Sequence, residues 1–226
     1  NIPSAYSTYD AKNTLVNLDD QAWTSRLSMD TSSIVAADGS LYGMPITGYS
    51  GVMGVIYNVD VFESLNIEIP KTYDDFLAAC ETIKQSGTNP LYLSFKDTWT
   101  TQIMPMIYFA NALDERCNEV YAELNTNQLS FADVPEYKQA LTDFQALFDT
   151  GYVNEDYIVG TYDESQAAVA TGESAMMVCG EYAVNSILEN YPDANIGMFP
   201  LPYNDVDKIM TANYVYALCV PKAAAD

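Results

Sequence analysis

The 226-residue sequence predicts an α/β protein, and three observations carry that reading. Segments with helical apolar period alternate with short extended apolar runs along the whole chain. Gly and Pro punctuate the joins between them. Apolar residues make up 49% of the chain at a mean hydropathy of −0.07. That is enough for a sizeable core, since a chain of this length buries roughly 70% of its unfolded surface.

The elements follow in order. Residues 1–40 are polar and weakly periodic, with a short helix expected near Asp19–Met29. Leu41–Ile46 reads as a strand, Thr47–Gly51 as a flexible junction holding two glycines, and Val52–Tyr57 as a buried strand. Asn58 is placed to cap a short helix over Val59–Leu65, because its side chain accepts from the free N–H groups of a first turn. The next helix is the best marked. Pro70 precedes it, Thr72 with Asp75 makes a capping-box start, Phe76, Leu77, Cys80 and Ile83 share a face, and Gly87 ends it. Asn89-Pro90 reads as a turn, Leu91–Phe95 as a strand and Thr100–Ala112 as a helix. Glu136–Thr150 is a second amphipathic helix, with Tyr137, Ala140, Leu141, Phe144, Leu147 and Phe148 as its stripe and Gly151 as its stop. A short helix over Asp163–Thr171, a strand over Ser174–Cys179, a helix over Tyr182–Asn190 and a strand over Asn195–Phe199 follow. Pro200-Leu201-Pro202 closes that strand, and Ile209–Val220 is a last extended segment. No apolar run reaches the roughly 18 residues of a membrane span.

Charge and composition exclude several chemistries. The chain has 31 Asp and Glu, 9 Lys and Arg, no His and a formal charge of −22. Without imidazole there is no Ser-His-Asp triad, no Cys-His dyad and no histidine metal ligand. A pI near 4.1 argues against nucleic acid, whose binders need a basic face. The same field disfavours anionic small ligands and anionic lipid surfaces. Cys80, Cys117, Cys179 and Cys219 are widely spaced with no C-x-x-C, which excludes a ribbon-type zinc site and a thioredoxin-like motif. Cys80 and Cys219 sit in apolar patterns and are expected to be buried free thiols.

Acidic pairs such as Asp19-Asp20, Asp74-Asp75 and Glu155-Asp156 are weak candidates for acid–base work. Neighbours on a helix point about 100° apart, whereas glycoside hydrolysis needs two carboxylates at a set separation with divergent pKa values. The plainer reading is a solvated surface or helix N-terminal charge. A calcium loop is absent, and Asn125-Thr126-Asn127 lacks the carboxylates one needs. Neither Gly48…Gly51…Gly54 nor Gly172…Gly180 is a phosphate cradle, because no Lys-bearing helix start follows. No metal and no cofactor is expected.

The aromatics are more informative: 18 Tyr, 8 Phe and 2 Trp. A neutral polar ligand with apolar C–H faces, such as a sugar, suits aromatic surfaces flanked by polar acceptors. Candidates stand at element ends: Asp97-Thr98-Trp99, Gly180-Glu181-Tyr182 and Ala212-Asn213-Tyr214. Half-buried packing is the ordinary role of each taken singly.

The order of motifs adds a resemblance. Leu41-Tyr42-Gly43-Met44-Pro45, Val55-Ile56-Tyr57-Asn58-Val59-Asp60-Val61-Phe62, Ile69-Pro70-Lys71-Thr72-Tyr73-Asp74-Asp75-Phe76, the run Thr171–Tyr182, and Ile196-Gly197-Met198-Phe199-Pro200-Leu201-Pro202 occur in sequence. Together they resemble the family 1 extracellular solute-binding proteins, the carbohydrate receptors of ABC importers related to maltose-binding protein. The resemblance implies a periplasmic-binding-protein (Venus-flytrap) fold of two α/β lobes, of which this chain would hold mostly the C-terminal lobe with a partial N-terminal lobe. It implies residues 1–49 in the N-terminal lobe, 50–53 as a hinge crossing, 54–212 as the C-terminal lobe and 213–226 crossing back, with the start of the N-terminal lobe and the last helices missing.

The resemblance also implies site residues. Tyr182 matches the aromatic of the family's Gly-x-aromatic turn, preceded here by Glu181. Asp97 and Trp99 match the loop after a C-lobe strand. Tyr49, Ser50 and Gly51 match the first crossing, where this chain lacks the family's acid, and Asn213 and Tyr214 match the second. The implied function is that of a non-enzymatic sugar-binding subunit at the bacterial cell surface, held by a lipid anchor outside this chain and delivering ligand to permease subunits. The rival readings are a secreted carbohydrate-active enzyme, a cell-surface interaction module and a receptor for a non-sugar neutral solute.

Overall fold

The structure, a computed structural model, describes residues 6, 8–27, 35–36, 38–204 and 210–224, the side chains of 47–50 and 210–215 excepted. It divides into two compact units, Asn1–Gly51 with Ala212–Asp226, and Val52–Thr211.

In the smaller unit, a short helix α1 (Ala11–Thr14) and the start of strand β1 (Met44–Asn58) frame a cluster of Tyr6, Ala11, Leu41 and Tyr42. Leu15, Trp23 and Ala217 pack on that cluster. The helix expected near Asp19–Met29 is reduced to one 3₁₀ turn, Thr24–Arg26, with residues 28–34 outside the described set. Side chains compete with the helix there: Asn17 Oδ1 accepts from Asp19 N at 2.8 Å, and Asp19 Oδ1 accepts from Leu41 N at 2.7 Å.

The larger unit is built on a sheet in the order β2–β3–β1–β4; β5 (Met210–Leu218), which falls mostly in the smaller unit, also pairs with β1. Strand β3 (Ser174–Gly180) runs antiparallel to β1 and parallel to β2 (Asn89–Tyr92), and β4 (Ile196–Phe199) runs antiparallel to β1. Two expected strands with a flexible junction are instead one 15-residue strand, β1. Glycine is compatible with extended backbone, and cross-strand pairing to β3, β4 and β5 sets the element. At Gly54 the close approach of β4 explains the missing side chain, because a Cβ there would stand 2.6 Å from the Phe199 carbonyl oxygen. Pro90 lies inside β2 rather than in a turn, tolerated because β2 is at the sheet edge. β2 stops at Tyr92, short of the expected Phe95. The buried Asn154 side chain takes over the pairing there, accepting from Leu93 N at 2.7 Å and donating to Leu93 O at 3.2 Å.

Helices cover this sheet. α2 (Val59–Ser64) starts on Asn58, whose Oδ1 accepts from Val61 N at 3.0 Å, as the sequence predicts. α3 (Tyr73–Gln85) carries the predicted Thr72–Asp75 capping box and buries Phe76, Cys80 and Ile83. α4 (Ile103–Leu113) packs on α6 (Pro135–Asp149), and α7 (Tyr162–Thr171) packs on β3 and α8 (Tyr182–Asn190). Helix α5 (Cys117–Asn125) was not anticipated, although Cys117, Val120, Tyr121 and Leu124 have helical spacing. Leu141, assigned above to the buried stripe of α6, is 50% exposed at the margin of that stripe, beside Phe109 and Phe131. All four cysteines are free. Cys80 is buried, as expected, but Cys219 is exposed because it follows the end of β5.

Candidate functional site

The carboxyl ends of the parallel strands β2 and β3 are where an open α/β sheet offers a crevice, and four of the sequence candidates lie there. After β2, the chain turns through Asp97 into a 3₁₀ helix, Thr98–Gln102, that carries Trp99. Thr100 fastens this turn, donating from Oγ1 to Ser94 O at 2.7 Å and to Asp97 O at 2.9 Å. After β3, Gly180-Glu181 leads into α8 with Tyr182 as its first residue.

A residue missed in the sequence joins the two. Tyr162 is the first residue of α7, and its ring meets the Trp99 ring edge to face at 4.9 Å and 66°. Its backbone N–H, one of the unpaired donors of a helix start, donates to Asp97 Oδ2 at 2.7 Å. Asp97 thereby ties the Trp99 loop to α7, with one carboxylate oxygen spent on that bond. The helix start is fixed again by a capping box: Thr161 Oγ1 accepts from Glu164 N at 3.2 Å, and Glu164 Oε2 accepts from Thr161 N at 2.7 Å. Burial raises the Tyr162 hydroxyl pKa well above its ordinary value, with further contributions from Cys179 and Asp163. Tyr162 therefore stays neutral at physiological pH.

The Cys179 thiol, 1% exposed, donates to the Tyr182 hydroxyl at 3.4 Å, and Tyr162 lines the same small void beside it. Tyr162 thus stands between Trp99, whose ring it meets, and the Cys179–Tyr182 pair, beside which it lines the same void, so two aromatics far apart in sequence share one corner. Behind it the packing is dense, with a void of only about 10 Å³ bounded by Ser94, Phe95, Tyr162 and Cys179. Trp99 remains 39% exposed and Tyr182 half-buried, leaving aromatic surface open to a ligand.

Glu181 faces β1. Its Oε2 accepts from Val52 N at 2.6 Å, and its N–H donates to Val52 O at 3.0 Å, extending the β1–β3 pairing by one residue. Tyr49 and Ser50 lie in β1, and Asn213 and Tyr214 in β5, but their side chains lie outside the described residues. The sequence carries a mark of Tyr162, an aromatic at a helix start beside polar residues, but the expected helix, Asp163–Thr171, starts one residue after it. Cys179 had no distinguishing mark.

A second concavity, about 620 Å³, runs from the amino ends of β2 and β3, at Asn89, Glu173 and Ser174, past Tyr92 and Asp156 to Glu164. It lacks an open aromatic face: Tyr92, its aromatic, is 8% exposed. Among the described residues no group of three or more Cys, Asp or Glu is placed to hold a metal ion, and no helix is long and apolar enough to cross a membrane.

Comparison with known proteins gives a consistent set of relatives. The multiple sugar-binding protein of Streptococcus mutans is 23% identical over 192 residues, covering 82% of this chain and 44% of that protein. The sn-glycerol-3-phosphate-binding periplasmic protein of Brucella abortus is 27% identical over 175 residues, covering 74% of this chain and 37% of that protein. Among solved structures, a chitin oligosaccharide binding protein superposes with a TM-score of 0.78 at 25% identity, over 93% of this chain and 54% of that one. An ABC transporter binding protein of Bifidobacterium animalis subsp. lactis in complex with mannotriose gives 0.73 at 26% identity, over 95% and 52%. The chain thus spans about half the length of the proteins it matches. The fold is that of part of an α/β solute-binding protein, and these relatives are binding proteins rather than enzymes. The family of bacterial extracellular solute-binding proteins matches residues 8–226, and the chain belongs to that family.

Proposed function

We propose that this chain is the ligand-holding part of a carbohydrate receptor for an ABC importer, without catalysis of its own. The observation that carries the reading is the open aromatic corner of Trp99, Tyr162 and Tyr182 at the carboxyl ends of β2 and β3. Aromatic faces take up the C–H faces of a sugar ring, and nearby carboxylate and backbone groups take its hydroxyls. Relatives named for sugar binding support the ligand class. The net charge of −22 favours a neutral ligand over a phosphorylated one such as that of the Brucella relative.

In the same proposal residues 50–53 and the segment from 213 are hinge crossings, with Tyr49, Ser50, Asn213 and Tyr214 beside them. Binding shifts the population to a closed form, which requires tighter binding to the closed than to the open state. The permease subunits recognise that closed form. The protein works outside the cytoplasmic membrane, held by a lipid anchor. The test is titration of the full-length gene product with a panel of neutral oligosaccharides and with glycerol phosphate, following both binding and product formation. Stoichiometric sugar binding without products is expected. Turnover, or preference for the phosphorylated ligand, would overturn the reading.

A further inference from the structure

A flat aromatic platform holds a ring face well only if it does not rotate on binding, because ordering a side chain costs free energy. Tyr182 is restrained at both ends. Its ring lies over the backbone at Gly180, where an added Cβ would stand 2.3 Å from Cε1 and 2.7 Å from Cδ1. At the other end its hydroxyl receives the Cys179 S–H at 3.4 Å. That thiol lies at the end of the fully buried strand β3, in register opposite β1, and Tyr162 of α7 lines the same small void. The thiol is 1% exposed, so it touches neither solvent nor a ligand in the crevice.

We propose that Cys179 is a positioning residue for ligand binding: its buried thiol sets the orientation of Tyr182 beside Tyr162, so that the platform and the Trp99 side of the corner are pre-formed as one surface. This rests on the sugar-binding reading given above. Serine keeps a donor and acceptor at the same place, whereas alanine removes both and leaves the Tyr182 hydroxyl without that anchor. Gly180 has the complementary role, leaving the space the ring occupies.

The test is a double-mutant cycle for ligand affinity, using mannotriose, raffinose and chitin oligosaccharides as probes on the full-length protein. Cys179→Ala is expected to weaken binding about two- to tenfold, the factor carried by one net hydrogen bond. Cys179→Ser should restore most of that loss. In a Tyr182→Phe background, Cys179→Ala should change affinity no further, because its route of action is gone. Near-ultraviolet circular dichroism of the tyrosines should change in Cys179→Ala and return in Cys179→Ser. Gly180→Ala, which displaces the ring without touching the thiol, should weaken binding even where Cys179 is intact. Equal losses for Cys179→Ala in both backgrounds, or an unchanged affinity with native stability, would overturn the proposal. If the wild-type protein binds no sugar at all, the functional reading fails instead, and the circular dichroism comparison still tests whether the thiol orients Tyr182.

Discussion

The two ends of strand β3 differ in a way that teaches where to look for function. From its amino end, beside Glu173 and Ser174, a concavity of about 620 Å³ rimmed by carboxylates runs past Tyr92 to Glu164. At its carboxyl end, beyond Gly180, Tyr182 and Trp99 present aromatic surface over a nearly void-free base. Volume alone favours the first. Chemistry favours the second: it combines aromatic surface with ordered polar groups, stands where parallel strands end, and is pinned by Asp97, Cys179 and a helix cap. A pinned aromatic corner needs several residues to agree.

Substitutions sharpen this contrast. The largest effect is expected from Tyr182→Ala, which should weaken sugar binding by about 1–3 kcal/mol while leaving the fold intact. Equal binding by the variant would remove the carboxyl end as the site. Asp97→Ala should lower stability by about 0.5–2 kcal/mol, because it strips the acceptor from the first N–H of α7. Asp97→Asn, which keeps an acceptor, should recover most of that stability in chemical denaturation.

Acid should loosen the helix starts. Hydrogen bonds from Thr161 hold the Glu164 carboxyl below its ordinary range, and bonds from Thr72 and Lys71, and from Ser130, do the same for Asp75 and Asp133. Each folded-state pKa is lowered, so its contribution is present above the unfolded value, 4.5 for Glu164 and 3.8 for the two Asp. It is lost as pH falls through the folded values. Thermal unfolding between pH 7 and pH 3 should therefore show stability falling mainly below about pH 4.5. Thr161→Ala should flatten part of that fall, and an unaltered profile would contradict the assignment. The smallest effect is expected from Glu155→Ala in the carboxylate-rimmed hollow: no change in sugar affinity beyond about 0.5 kcal/mol. A loss comparable to that of Tyr182→Ala would reverse the contrast.

Local rules made much of the fold legible. The Asn58 cap and the Thr72–Asp75 box follow from side chains acting on neighbouring backbone, and the strand over Ser174–Cys179 from its apolar run; the structure has all three, the strand one residue longer. What was not legible depends on partners distant in sequence. β1 is one strand where two are expected, paired with β3 and β4 over residues 53–58 and also with β5, and β2 ends early because Asn154 replaces its ladder. Cys219 follows an apolar run yet is exposed, since an apolar run marks a strand without saying what covers its end. At the site, Trp99 and Tyr182 stood out as aromatics at element ends. Tyr162 and Cys179, which join them, are visible only once α7 is laid against β3.

The most direct measurement is calorimetric titration of the full-length protein and its Tyr182→Ala variant with neutral oligosaccharides such as mannotriose, raffinose and chitin fragments. The account predicts one sugar bound per wild-type molecule, no product, and an affinity lower by about 5- to 150-fold in the variant. Identical affinities in the two proteins, or binding abolished by Glu155→Ala instead, would contradict it.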